Sequence, residues 1–463
     1  MIAQFVQEHL NDDTARLILD RAKWPEIDID LAVNCIESRR KLKGKVPEWY
    51  ENPELIFPLK LSAEQCSSSA TGAYKAAYAK SIFEQTSHAE TSDDRKMRLA
   101  DLTGGYGVDS WSFSKVADQV LYCEMLSVLC DAAKHNFAAL GATNIQVENI
   151  TVTPSCHPEP SCHPEPSCHP EPSCHLEQSE RSLYNIQKSF QPDIIYLDPA
   201  RRSESGKKVF LIEECTPDVL TLTDDLFSHS RNILLKLSPM ADITMVCERL
   251  GKCCREVYVV AMGGECKELL IWMDREWSEE YTITAVELPS CHPERSEVID
   301  EVAEANAKES PSLTFTPSEE KASAPIIASK EDITQATHLF EPGKALMKSG
   351  AFNTLCSRFE MKKLGRSTHY YIIVDDGRDS SLETKQTLNG LGKLYQIITQ
   401  SPLDKRSIKA AAQAYPKSEV TARNIPMDTD TLRKKLGITS GDDAHIFGLK
   451  SDTAGNLLLI CRR

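Results

Sequence analysis

The chain has 463 residues, of which 41% are hydrophobic, enough to bury the cores of roughly two to four domains. Its formal net charge of −15 excludes indiscriminate nucleic-acid binding, which needs a positive field, although a local basic face remains compatible with that charge. The first residues lack the apolar core of a signal peptide, and no apolar run is long enough to span a bilayer. We therefore expect a soluble, cytoplasmic protein without membrane contact.

The N-terminal region, residues 1–95, is predicted to be helical because apolar side chains recur along it at helical spacing. One helix is predicted from Gln65 to Lys80, with three consecutive serines at 67–69 near its start. Taken alone, this pattern fits a serine-capped helix on the surface.

A glycine-rich turn follows at residues 98–109, RLADLTGGYGVD, between a short apolar strand and a helix. Gly104, Gly105 and Gly107 allow the backbone to approach a ligand, and the helix N-terminus offers unpaired N–H groups. The spacing is not the G-x-G-x-x-G of a dinucleotide-binding fold. A tight turn without any ligand fits this stretch as well.

Further strands are predicted at 119–124, 144–149, 193–198, 232–237, 256–262 and 268–273, with helices between them. Together with the strand at 98–103 they predict a mostly parallel, doubly wound sheet of seven strands. Gly104, Glu124, Asp198 and Lys236 all fall at the C-terminal ends of strands, where ligands of such sheets bind. A carboxylate at Glu124 can accept both hydroxyl protons of a ribose.

At the strand end that carries Asp198-Pro199, the chain resembles the class I S-adenosylmethionine-dependent methyltransferases. More narrowly, it is similar to bacterial methyltransferases with a C-terminal THUMP-like domain. The motifs that carry the resemblance are DLTGGYGVD (101–109), EQCSSSATGAYKA (64–76), YLDPARR (196–202), LLKLSP (234–239), EPGKALMKSGAF (341–352) and VTARNIPMDTDTLRKKLGI (420–438). The resemblance implies a Rossmann-like α/β fold, S-adenosyl-L-methionine as cofactor, and a small ferredoxin-like α/β domain before the THUMP-like one.

The resemblance also implies roles for individual residues. Asp101 would accept from the cofactor's ammonium group, Glu124 would bind the ribose, and Asp198 with Pro199 would border the methyl-transfer site. The other implied cofactor contacts are Thr103, Gly104, Gly105, Gly107, Gln65, Thr71 and Lys75. The implied substrate contacts are Arg201, Arg202 and Lys236.

Each of these residues also has an ordinary structural explanation. Asp101 fits a partner of a helix N-terminus, Glu124 a solvated strand end, and Asp198 a turn former before proline. Arg201 and Arg202 fit phosphate contacts or ion pairs with nearby acids such as Glu204. The resemblance also implies a polar residue that contacts the adenine of the cofactor at the end of the third strand, where this chain has Glu148 and Asn149.

A six-residue repeat, PSCHPE, interrupts the sheet within a low-complexity insertion at 153–182, and a fifth copy begins at Pro289. Its cysteines and histidines could bind a metal ion. The regular prolines and the second, unrelated location favour an inserted segment with no metal function. No cysteine outside the repeat belongs to a C-x-x-C pair, so we predict no metal site.

The pattern divides the chain into four parts: the helical region 1–95, a methyltransferase domain at 96–276, a ferredoxin-like domain at 277–393, and a THUMP-like domain at 394–463. A disordered insertion is predicted at about 289–330, because that stretch is rich in Glu, Ser, Pro and Ala. Residues 394–463 carry eleven lysines and arginines against seven acids, a local balance of +4.

These observations favour an S-adenosylmethionine-dependent methyltransferase that acts on RNA, either tRNA or rRNA, without an obligate protein partner. A nicotinamide-dependent oxidoreductase is an alternative, but it would need the missing G-x-G-x-x-G turn. A second alternative is a non-catalytic RNA-binding or assembly protein that keeps a methyltransferase fold.

Overall fold

The computed structural model describes residues 1–87, 95–152, 190–200, 212–289, 310–374 and 382–463. Backbone contacts divide the chain into two compact units, the first formed mainly by residues 1–255 with 270–279 and the second by 256–269, 280–289 and 310–463. Across the described ranges, no helix combines the length and apolar character that a membrane span requires. The predicted repeat insertion at 153–182 lies outside the described residues.

The N-terminal region is helical, as predicted. Its helices are α1 (Ile2–Glu8), α2 (Thr14–Leu19), α3 (Ile29–Leu42), α4 (Pro47–Glu51), α5 (Lys60–Gln65) and α6 (Ser69–Thr86). Ile36, Leu42, Trp49 and Phe57 are completely buried in its core. Arg39, only 3% exposed, donates hydrogen bonds to the carbonyl oxygens of Tyr50 and Asn52, each at 2.7 Å, and of Leu55 at 3.0 Å.

The single helix predicted from Gln65 to Lys80 is wrong at its start. Helix α5 ends at Gln65, and α6 begins only at Ser69, with Ser68 as its N-cap. The Ser68 side chain accepts from the Thr71 N–H, while the Thr71 hydroxyl accepts from the Ser68 N–H. Serine side chains compete for backbone hydrogen bonds in this way, so a serine run starts a helix rather than continuing one.

The first sheet contains the seven predicted strands. They are β1 (Arg98–Asp101), β2 (Gln119–Glu124), β3 (Ile145–Asn149), β4 (Ile194–Leu197), β5 (Asn232–Leu237), β6 (Cys254–Met262) and β7 (Glu265–Asp274). Two more, β8 (Thr282–Leu288) and β9 (Ser312–Phe315), extend it to nine strands in the order β3-β2-β1-β4-β5-β7-β6-β8-β9. The predicted α/β fold class is therefore confirmed, with a larger sheet.

Strand order reverses between β1 and β4. The chain runs outward from β1 through β2 to β3, then returns to place β4 and β5 on the other side of β1, and all of these neighbours are parallel. The intervening helices include α7 (Val108–Ser114) and α8 (Ser127–Ala139). In open α/β sheets such a reversal leaves a crevice beyond the carboxyl ends of the strands.

The disorder predicted for about 289–330 is wrong for its described part, residues 310–330. Strand β9 lies in this stretch, and a helix, α9 (Pro317–Ala322), follows it. Alternate residues Leu313 and Phe315 are buried, and the Glu320 carboxylate accepts from the backbone N–H groups of Asn353 and Thr354. These partners lie far along the chain, so local composition does not indicate them.

A second sheet of seven strands fills the C-terminal part of the chain. Its strands are β10 (Ala336–Pro342), β11 (Lys362–Lys363), β12 (Tyr371–Val374), β13 (Gly392–Pro402), β14 (Lys417–Arg423), β15 (Thr439–Ser451) and β16 (Gly455–Arg462), in the order β11-β12-β10-β13-β16-β15-β14. Residues 344–359 form two helices, Lys344–Ser349 and Thr354–Phe359, because Gly350 takes a left-handed conformation with φ +81° and ends the first of them. Two further helices, Lys405–Ala414 and Thr429–Leu436, follow β13 and β14 respectively.

Replacing Arg39 is expected to destabilise the N-terminal region. In Arg39→Ala, several buried carbonyl oxygens lose their donor, so the free energy of unfolding should fall by roughly 3 kcal/mol or more. Urea unfolding followed by circular dichroism measures this change. Arg16→Ala is the matched control, since that side chain is 81% exposed; equal transitions for the two variants would contradict the assigned role of Arg39.

Candidate active site

Four functional groups lie at the carboxyl ends of neighbouring parallel strands. Asp101 ends β1, Glu124 ends β2, Asp198 follows β4, and Lys236 is the penultimate residue of β5. These are the strands on either side of the reversal, so the predicted convergence of the four groups at one sheet edge has a structural basis.

Two glycines of the turn are required by packing. A Cβ atom at Gly104 would lie 2.2 Å from the ring of Tyr122, and one at Gly107 would lie 2.5 Å from the ring of Phe137. Gly107 also has a φ of +86°, which L side chains rarely adopt. The turn is fixed further because the Tyr122 hydroxyl donates to the Gly105 carbonyl oxygen at 2.6 Å. These glycines therefore shape the turn whether or not a ligand binds.

Gly105 is different, because space lies beside it. Its φ is +55°, and a Cβ there would meet no atom nearer than 3.9 Å. Its N–H donates to Glu124 Oε2 at 2.9 Å, while Glu124 Oε1 accepts from the Leu126 N–H at 2.9 Å. The turn thus leaves room directly beside a carboxylate.

Asp101 lies beneath the turn rather than at its surface. Its side chain is fully buried and accepts from the Thr103 N–H at 3.0 Å and from the Ser110 hydroxyl at 2.5 Å. Burial raises the pKa of Asp101 to about 7. The Thr103 hydroxyl in turn accepts from the Asp198 N–H at 2.6 Å. Asp101 is shielded from a ligand by its complete burial, and together with Thr103 it joins the ends of β1 and β4.

Asp198 and Lys236 form an ion pair at this edge. Lys236 Nζ lies 2.6 Å from Asp198 Oδ2, and the two side chains are 12% and 36% exposed respectively. Pro199 is buried, and Ala200 exchanges two backbone hydrogen bonds with Thr216, at 2.7 and 3.0 Å. Pro199 and Ala200 are therefore held in place beside the ion pair, while Arg201 and Arg202 lie outside the described residues.

A buried polar network, which we call the Ser67 network, extends behind this ion pair. The Ser67 hydroxyl accepts from Lys75 Nζ at 2.9 Å and from Lys236 Nζ at 3.3 Å, and it donates to Asp109 Oδ2 at 2.9 Å. The Tyr196 hydroxyl also donates to Asp109 Oδ2, at 2.8 Å. Lys75 Nζ forms an ion pair with Asp109 Oδ1 at 3.2 Å.

The charge of Asp109 is stabilised despite its burial. Burial acts to raise the pKa of this carboxyl, but the ammonium groups of Lys75 and Lys236 and its hydrogen bonds outweigh burial, so the pKa lies below its ordinary value. Asp109 therefore stays ionised at neutral pH and holds both lysines near Ser67.

The three cofactor contacts expected in the α5–α6 segment lie in different surroundings. Lys75 is fully buried and belongs to the Ser67 network, whereas the Thr71 side chain is used by the cap of α6. Gln65 is exposed at the end of α5.

The sequence reasoning missed Ser67, Asp109 and Tyr196. All three lie inside motifs given above, but only the fold reveals that their side chains meet, since Ser67 and Asp109 are 42 residues apart in the chain.

Asn149, the last residue of β3, supports the backbone at Glu124. The Asn149 side-chain amide donates to the carbonyl oxygens of Glu124 at 2.8 Å and Met125 at 3.0 Å. Beyond Glu124, three apolar side chains are 58%, 44% and 45% exposed: Met125, Leu126 and Val128. An apolar surface therefore adjoins the carboxylate, and Asn149 holds the backbone beneath it.

Comparison with known proteins identifies two domains and the fold. Residues 392–463 match the THUMP domain-like family, and residues 338–375 match a ferredoxin-like domain family. Among curated proteins, none matches the chain. The solved structure of a candidate methyltransferase from Porphyromonas gingivalis W83 aligns with 100% of this chain and 97% of that one, with a TM-score of 0.72 and 24% sequence identity.

Two other solved structures align over 42% of this chain. One is an rRNA methylase from Streptococcus thermophilus, with 94% of that chain covered, 9% identity and a TM-score of 0.26. The other is a candidate methyltransferase from Streptococcus mutans in complex with S-adenosylhomocysteine, with 95% covered, 11% identity and a TM-score of 0.26. At these TM-scores neither structure bears on the function of the chain. The predicted resemblance is confirmed for fold and domains: the chain has a methyltransferase fold and carries the ferredoxin-like and THUMP-like domains.

Proposed function

We propose that the chain is an S-adenosylmethionine-dependent methyltransferase that acts on RNA, either tRNA or rRNA. The observation that carries the cofactor part is the space beside Gly105, bordered by the Glu124 carboxylate. A ribose with two hydroxyl donors suits that carboxylate, and the exposed apolar side chains after Glu124 suit the face of an adenine. The residues present therefore fit the cofactor, which would supply a methyl group activated by a positively charged sulfur.

The protein's own groups have separate tasks in this proposal. The turn and Glu124 bind and orient the nucleoside part, while Asp101 and Thr103 hold the turn against the end of β4. Asp198, with buried Pro199 behind it, faces the acceptor and receives its proton. Holding the acceptor and the methyl group in line accounts for most of the rate acceleration in such a transfer.

The RNA part rests on different observations. The THUMP domain-like match at 392–463 supports it, as does the positive local balance of the C-terminal segment in a chain of net charge −15. A nicotinamide-dependent oxidoreductase has no such support, since the turn lacks the required glycine spacing. A non-catalytic RNA-binding protein with the same fold would bind cofactor and RNA without transferring a methyl group.

Replacing Glu124 tests the cofactor site. In Glu124→Ala, the loss of charged hydrogen bonds to the ribose should weaken the binding of S-adenosylmethionine and S-adenosylhomocysteine by roughly 1.5–3 kcal/mol, about ten- to a hundredfold. Calorimetric titration measures both affinities, and Asp131→Ala removes an exposed carboxylate on α8 as the control. Failure of the folded, intact chain to bind either compound would reject the enzyme proposal.

The turn offers a second, independent test. In Gly105→Ala, a methyl group enters the space assigned to the ligand, so S-adenosylhomocysteine binding should fall at least tenfold while the fold survives. Gly141→Ala is the matched control, because Gly141 also has a positive φ (+71°) and no atom within 4 Å of its Cβ position. Both variants bear a similar backbone strain, of about 1–2 kcal/mol. Equal affinities in the two variants would show that the space beside Gly105 is not the ligand site.

A further inference from the structure

Two lysine ammonium groups meet at one serine beside the proposed transfer site. Lys75 and Lys236 both donate to the Ser67 hydroxyl, and Lys236 also lies 2.6 Å from Asp198. The Ser67 hydroxyl in turn donates a hydrogen bond to Asp109 Oδ2 at 2.9 Å. The position of the Lys236 ammonium is thus fixed by a network that reaches from α6 through α7 to β5.

A third lysine, Lys45, lies close to the Ser67 network and donates to the carbonyl oxygens of Ala63 at 3.1 Å and Glu64 at 2.7 Å. Burial lowers the pKa of Lys45, and the nearby charge of Lys236 acts in the same direction. Burial raises the pKa of the neighbouring Cys66 thiol, so that thiol is neutral at pH 7. Lys236 therefore presents an ammonium group 2.6 Å from the Asp198 carboxylate, with Lys75 held behind it 3.2 Å from Asp109.

This charge distinguishes between classes of methyl acceptor. An amine that attacks a sulfonium gains positive charge, which nearby ammonium groups oppose. A hydroxyl must instead lose a proton and develops negative charge on oxygen, which an adjacent ammonium stabilises.

We propose that the acceptor is a hydroxyl oxygen of RNA, namely a ribose 2′-hydroxyl, with Lys236 stabilising the developing oxyanion. Within an RNA chain the 3′ and 5′ oxygens are esterified, so the 2′-hydroxyl is the ribose oxygen left for transfer. This inference rests on the proposed function and specifies its acceptor atom.

The step balances as follows in atoms and electrons. The acceptor oxygen bonds to the methyl carbon, the carbon–sulfur bond breaks with its electron pair left on sulfur, and the hydroxyl proton passes to Asp198 and then to solvent. Lys236 remains protonated throughout. Ser67, Lys75 and Asp109 are positioning residues, since they act through the Lys236 ammonium.

The acceptor atom can be read directly from labelled RNA. The full chain is incubated with S-adenosylmethionine carrying a radioactive methyl group and with tRNA and rRNA transcribed in vitro without modification. The product is then hydrolysed in alkali. A 2′-O-methyl group blocks alkaline cleavage, so the proposal predicts label in alkali-stable dinucleotides. Label confined to mononucleotides with methylated bases would overturn this inference and leave the proposed methyltransferase intact.

Variants at Lys236 test the assigned role. Lys236→Met should reduce transfer about a hundredfold or more, whereas its affinity for S-adenosylhomocysteine, measured by calorimetry, should stay within about twofold of the intact chain. Lys236→Arg, which keeps the charge, should restore part of the transfer. Lys134→Met removes an exposed lysine on α8 as the control. Undiminished transfer by Lys236→Met would overturn the role of Lys236, and bound cofactor without any label in RNA would overturn the RNA proposal together with this inference.

Discussion

The ionised carboxylate of Asp109 is the constraint on which the site depends. Burying such a charge is costly unless several partners compensate it. Here the partners come from three directions: Ser67 before α6, Lys75 within α6, and Tyr196 on β4. Helices α6 and α7 pack so closely that a Cβ at Gly72 would lie 2.5 Å from the Ser112 hydroxyl oxygen. The N-terminal helices and the sheet are thus locked together at the place where the functional groups converge.

The glycine-rich turn depends on the same helical region. Tyr106, in the middle of the turn, is buried, and its hydroxyl contacts Ser38 at 3.2 Å, accepts from the Leu59 N–H at 3.2 Å and donates to the Leu59 carbonyl oxygen. The turn therefore takes its shape from helices that precede it as well as from the strand beneath it. Since packing already explains Gly104 and Gly107, the presence of glycines was weak support for a ligand, and the open space beside Gly105 is the stronger observation.

The sequence predicted the sheet well, because most of its strands are short apolar runs, and such runs indicate a buried strand. Leu99 to Asp101 and Ile194 to Leu197 are almost completely buried, as their composition indicates. Prediction failed where structure depends on distant partners. The strand with Leu313 and Phe315 has only two buried residues, and the carboxylate of Glu320 that secures the following helix binds backbone groups 33 and 34 residues away.

Part of the candidate site was also predictable from the sequence. The meeting of Glu124, Asp198 and Lys236 follows from parallel topology, since the C-terminal ends of the parallel strands β1, β2, β4 and β5 lie at one edge. Ser67 resembled a helix cap in the sequence, but its neighbour Ser68 fills that position and leaves the Ser67 hydroxyl for the buried network. Distinguishing these adjacent serines requires knowledge of where α6 begins, and a pattern of apolar spacing does not determine a helix start to one residue.

The distribution of charge bears on how the acidic chain would meet the proposed RNA substrate. A net charge of −15 repels a polyanion at long range, so encounter must depend on local positive surfaces within about a Debye length, roughly 8–10 Å. In the C-terminal part, the helix Lys405–Ala414 exposes Lys405, Arg406 and Lys409 and contains no acidic residue. At the β4 and β5 ends, by contrast, the positive charge is mostly buried around Ser67. Exposed cations favour binding of a phosphate backbone, whereas buried cations act on the one group that reaches them. For the proposed RNA substrate, affinity and chemistry would therefore depend on different lysines, and salt would weaken the first far more than the second.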